Sequence, residues 1–77
     1  MINELDLVVL KRDITESNLI TGDIGTVIHK YNDTNFEIEF VTAEGSTVAV
    51  LSLSNNDIRA FDHREILHTR DISNIAA

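Results

Sequence analysis

Few side chains in this sequence have types and spacing suited to chemistry. Glu37 and Glu39 stand two apart in the run Phe36-Glu37-Ile38-Glu39-Phe40. If that run is a strand, both carboxylates share one face, about 7 Å apart. Two carboxylates can act as general acid and base when their surroundings split their pKa values, but no neighbour in the sequence is placed to do so. The pair is better suited to receiving Arg or Lys from a partner, with Asp33 and Glu44 in the flanking turns extending the acidic face. A plain solvated strand face is the commoner outcome for such residues.

The remaining candidates are weaker. His29, His63 and His68 are the only nitrogen ligands, none pairs with another at i, i+4, and there is no cysteine to support them. No metal and no cofactor are therefore expected. Asp62-His63 is a neighbouring pair whose side chains on a strand would point to opposite faces. No Gly-x-Ser-x-Gly elbow is present, and no Ser-His-Asp arrangement follows from spacing. Gly22-Asp23-Ile24-Gly25 lacks the Lys-Ser/Thr of a phosphate-binding loop and reads as a structural turn built by Gly22, Asp23 and Gly25. Lys11, Arg12 and Lys30 could converge on RNA. The rings available for stacking, Tyr31, Phe36, Phe40 and Phe61, are few, and at least three are expected in the core.

These residues need elements to hold them. Leu5 to Leu10 reads as a first strand, with Leu7 to Leu10 apolar in succession and so buried on both faces. A long loop follows, with Leu19 and Ile20 tucked inward and room for one helical turn from Thr15 to Leu19. Gly25 to Tyr31 is the second strand, ending at the turn residues Asn32-Asp33-Thr34-Asn35. The alternating run from Phe36 to Phe40 is the third. Gly45 serves the next turn, and Thr47 to Leu53, apolar on both faces, is expected as a curved interior fourth strand. Ser54-Asn55-Asn56-Asp57 suggests a single 3₁₀ turn into a short fifth strand from Ile58 to Phe61. That order, strand, long loop, three strands in two hairpins, 3₁₀ turn, last strand, is the order of a five-stranded SH3-like barrel. The class is all-β, with the barrel over residues 1–62. Residues 63–77 form a C-terminal extension expected to be partly ordered and frayed at Ser73-Asn74-Ile75-Ala76-Ala77.

Composition narrows the partners. At 77 residues and 43% hydrophobic, the chain can form one small core of modest stability. The absence of cysteine, of an apolar leader and of a membrane-length apolar run favours a cytoplasmic protein without a membrane contact. Thirteen acidic against six basic residues give a net charge of −7, which repels phosphate backbones and steers a basic protein inward. Nucleic acid is accordingly disfavoured as a partner. The apolar tail could cover an open edge or grip a second copy as a homodimer.

Three stretches carry a resemblance. Glu4-Leu5-Asp6-Leu7-Val8-Val9-Leu10, Gly22-Asp23-Ile24-Gly25-Thr26-Val27 and Phe36-Glu37-Ile38-Glu39-Phe40-Val41 together resemble a small bacterial family of unknown function, frequent in cyanobacteria. Its members open E-L-D-x-V-V-L, continue with G-D-x-G-T-V and Y/F-E-V-E-F, and close near D-x-R, which Asp57-Ile58-Arg59 matches. The resemblance implies an SH3-like barrel. Because such members resemble products of small two-gene units, it also implies an antitoxin or immunity-type role, the acidic face masking a basic toxin. The G-D-x-G-T-V turn alone is similar to that of ribosomal and transcription-factor barrels, and to that of the nitrile hydratase β chain. Those likenesses imply an RNA- or ribosome-associated binder, or an accessory subunit of an enzyme. A non-enzymatic module binding a basic protein is the reading the sequence favours.

Overall fold

The computed structural model describes residues 1–72 and contains five strands: β1 (Leu7–Leu10), β2 (Ile24–Lys30), β3 (Asn35–Val41), β4 (Thr47–Ser54) and β5 (Ile58–Ala60). All pairings are antiparallel, and the sheet runs β4-β3-β2-β1-β5. This is the strand order of an SH3-like barrel, left open because no pairing joins β4 to β5 among the described residues. The expected fraying at Ser73 to Ala77 lies outside the described residues.

The strict alternation in β3 drives the packing. Phe36, Ile38 and Phe40 are buried while Glu37 and Glu39 face outward, because successive side chains of a strand point to opposite faces. Val8 and Leu10 from β1, Val27 from β2, Leu53 from β4 and Ile58 from β5 complete the strands' share of one core. Each fully buried side chain of this size contributes about 1.5–3 kcal/mol by leaving water.

β2 is the strand shared by the two halves of the barrel. Its first part pairs with β1 and most of its length with β3. A bulge between Val27 and His29 bends it, leaving Ile28 exposed and turning His29 to the outer face opposite Glu37.

The structure corrects several expectations. Leu7 is exposed, so only Val8 to Leu10 are buried in succession. In the long loop Leu19 is buried but Ile20 is not, since an isolated bridge between Ile14 and Leu19 closes the loop and points Ile20 outward. The 3₁₀ turn lies here, at Thr15–Ser17, ending on Asn18 at a left-handed φ of 59°. Ser54 to Asp57 instead forms one hydrogen-bonded turn, the Asp57 N–H donating to the Ser54 carbonyl at 2.9 Å. Two side-chain oxygens, Asp57 Oδ2 and Ser54 Oγ, already receive the backbone N–H groups of Ser54 and Asn56, which is enough to hold the reversal. β4 is not an interior strand but the end of the sheet. Phe36 and Phe40 are in the core, Phe61 is half-buried and Tyr31 is exposed, so fewer rings are buried than expected.

Candidate functional site

The outer face of β2, β3 and β4 carries the acidic pair. Register places His29, Glu37 and Ser52 in one cross-strand row, and Thr26, Glu39 and Val50 in the next. Glu37 Oε1 accepts hydrogen bonds from Ser52 Oγ at 2.6 Å and from the Tyr31 hydroxyl at 3.0 Å. Glu39 Oε2 accepts one from Thr47 Oγ1 at 2.8 Å. Both glutamates are half-buried rather than freely solvated. Among the described residues, no Lys or Arg pairs with either of them. His29 stands edge-on to Tyr31, ring centroids 4.6 Å apart, and its Nδ1 lies 3.4 Å from Glu4 Oε2. Ile28, Val41 and Val50 add exposed apolar surface to the same region.

The four acidic residues singled out from the sequence do not form one patch. Asp33 belongs to the β2–β3 turn and pairs with Lys30 at 3.6 Å. Glu44 belongs to the β3–β4 turn, at the other end of β3. Seven residues of β3 separate the two turns, a span of about 20 Å or more at strand spacing. Glu37 and Glu39 lie between them and form the centre of the face.

The Gly22 to Gly25 turn has more than one task. Gly22 has φ +97°, where a side chain is strained. Gly25 does not share that role, contrary to the expectation of two bending glycines. It lies inside β2, and an added Cβ would come within 2.5 Å of Ile38 Cγ2 and 2.9 Å of Phe40 Cε2. Asp23 between them is a docking point. Its carboxylate accepts from Arg70 Nε at 2.8 Å and from an Arg70 terminal nitrogen at 2.6 Å, and Arg70 also donates to the Asn18 carbonyl at 2.7 Å. The Asp23 carboxylate holds the Arg70 guanidinium above its ordinary pKa.

Sequence reading missed this contact because 47 residues separate the partners and nothing local links them. A second clasp, Arg59 to Glu65, is bidentate at 2.7 and 2.6 Å. The Arg59 guanidinium, helped by the Asp62 N–H, pulls the Glu65 carboxyl from 4.5 to about 2. Together the two clasps lay residues 62–70 back over the barrel.

The basic residues considered for RNA are mostly engaged. Arg12 donates to Asp57 Oδ1 at 2.7 Å, which raises the Arg12 pKa and lowers that of Asp57. Lys30 faces Asp33. Asp62 and His63 are on a turn, not a strand, with 3.8 Å between Oδ1 and Nδ1. A groove of ≈ 270 Å³ opens between Phe40, Val48 and residues 68–72, but its charged groups, Asp23 and Arg70, already satisfy each other. No group of His, Asp and Glu able to hold a metal occurs among the described residues. No helix among them is long and apolar enough to cross a membrane.

Fold and site together define an open SH3-like barrel whose outer sheet face carries two carboxylates held by hydroxyls. The chain belongs to a family described as Domain of unknown function (DUF4926), whose model matches residues 4–60, that is, the barrel from the residue before Leu5 to the end of β5. No catalytic family is indicated by that match. No curated protein and no solved structure matches the chain.

Proposed function

We propose that this domain is a non-enzymatic interaction module whose outer sheet face receives a basic protein. One observation carries the reading: Glu37 and Glu39 are half-buried and oriented by Tyr31, Ser52 and Thr47, yet no cation pairs with them among the described residues. Elsewhere the chain matches Asp23, Asp57 and Glu65 with arginines. Carboxylates fixed in place by neutral donors lose little side-chain entropy when an Arg or Lys arrives, so charge-assisted bonds form at lower cost. The net charge of −7 steers such a partner inward.

In its specific form the proposal is an antitoxin or immunity-type protein of the cytoplasm, docking this face on the basic substrate groove of a toxin. Engagement of Arg12 by Asp57 and of Lys30 by Asp33 removes support from the RNA-binding alternative. A tagged pull-down at moderate salt, with mass spectrometry of the retained proteins, supplies the partner. The double substitution E37K/E39K should then abolish capture while leaving the fold intact. Unchanged capture by that variant overturns the reading.

A further inference from the structure

β4 ends the sheet, and its far edge pairs with no strand among the described residues. Its eight residues, Thr47-Val48-Ala49-Val50-Leu51-Ser52-Leu53-Ser54, include no charged side chain and no proline. In a chain with 25% charged residues, none of the usual devices that blunt an exposed edge, Lys, Pro, brevity or a bulge along its length, occurs in β4 itself. The irregularity between Phe40 and Val41 affects only the start of β4, leaving Ala49 to Ser54 in unbroken register with β3. The opposite end of the sheet is guarded. β5 is three residues long and carries Arg59, which Glu65 clasps from the following turn.

We infer that the β4 edge accepts an extended segment of a basic protein as a sixth strand, with alternate Lys or Arg side chains directed to Glu37 and Glu39. The charge of that segment rests on the function proposed above; the site of addition rests on the edge. Ser52 stands opposite Glu37 and Val50 opposite Glu39, so an added strand places two of its own side chains in those same rows. It would lie two strand spacings, about 10 Å, from β3. An extended Lys or Arg and the facing glutamate bridge that span between them. Ser52 is small and already turned toward Glu37, and Val50, 42% exposed, offers apolar surface to a methylene stem. Main-chain hydrogen bonds would supply affinity and the two acidic rows would select a Lys/Arg-x-Lys/Arg pattern. A second copy is the poorer occupant, because it would bring like-charged rows and two −7 chains together.

The test uses the full chain and two probes: a capped peptide alternating Lys and Val, and its fully N-methylated counterpart, which keeps the charges but loses every main-chain donor. Affinity is measured at low salt, beside amide hydrogen exchange across Ala49 to Ser54. The unmethylated peptide should bind at least about fivefold tighter, as the loss of two or more hydrogen bonds requires. It should also slow exchange in β4. Equal binding of both peptides, or tighter binding without slowed exchange in β4, overturns strand addition and leaves the acidic face standing. Binding of neither overturns both readings. Slow exchange in β4 without peptide, together with concentration-dependent dimerisation, overturns the inference by assigning the edge to a second copy.

Discussion

Gly22 and Gly25 are three residues apart and are glycine for unrelated reasons. At Gly22 the backbone is in the left-handed region with open space where a Cβ would go. Gly22→Ala should therefore cost about 1–2 kcal/mol, from backbone strain alone. At Gly25 the backbone suits any residue but Ile38 and Phe40 occupy the space. Gly25→Ala should cost about 1–3 kcal/mol through overpacking, and β3 must shift to accept it. Urea unfolding measures both losses. Chemical-shift changes should stay near the turn for Gly22→Ala and spread into Ile38 and Phe40 for Gly25→Ala.

The segment from Asp62 to Ile72 has little regular structure, yet two ion pairs fasten it. Glu65 has its pKa lowered in the folded protein from 4.5 to about 2, chiefly by Arg59. A depressed carboxyl stabilises the fold fully above its unfolded value and loses that contribution as pH falls through the folded one. The Arg59–Glu65 clasp is thus complete above about pH 4.5 and released toward pH 2. Lowered pKa values at Asp13, bonded to the Thr21 N–H, and at Asp57, bonded to Arg12, add to acid sensitivity in the same direction. Thermal melts should find Glu65→Gln less stable than the parent at about pH 6, the difference closing near pH 2. At the other clasp both side chains are mostly covered, 27% exposed for Arg70 and 17% for Asp23. Arg70→Ala should cost about 1–3 kcal/mol, since it strips charge-assisted bonds from Asp23. Hydrogen exchange should show residues 68–72 released while β1 to β5 stay protected.

For the molecule as a whole, net charge and the open sheet edge bear on association. The E37K/E39K variant carries a charge four units more positive, and steering by the protein's field weakens with it. Capture of a basic partner should fall steeply as salt rises past about 0.15 M, where the screening length is about 8 Å. The variant loses the acceptors of the Tyr31, Ser52 and Thr47 hydroxyls, which water can replace on this outer face. Its melting temperature should therefore fall by no more than about 4–8 °C, the shift that about 1 kcal/mol gives in a domain of this size. Paired measurements of affinity against salt and of thermal stability check both expectations.

Much of this architecture was legible in the sequence because it depends on local periodicity. The two-residue alternation of Phe36 to Phe40 determines which face of β3 is buried, whatever its neighbours are. Turn residues at Asn32 to Asn35 and at Gly45 separate β2, β3 and β4, and their order leaves the SH3-like arrangement as the simplest way to pair five strands. The outward direction of Glu37 and Glu39 followed from the same alternation. Their donors did not: Tyr31, Ser52 and Thr47 meet them only through the register of three strands. Apolar residues on both sides of β4 pointed to an interior strand, but they report suitability for a pleated surface and not burial: only Leu53 of this strand is buried, because topology places β4 at the end of the sheet. Gly25 looked like a bend because a glycine is an absence, and what fills the vacant space belongs to β3. The Asp23–Arg70 clasp is the furthest from local reading, since two distant charges meet only after the barrel has brought the turn and the C-terminal segment together.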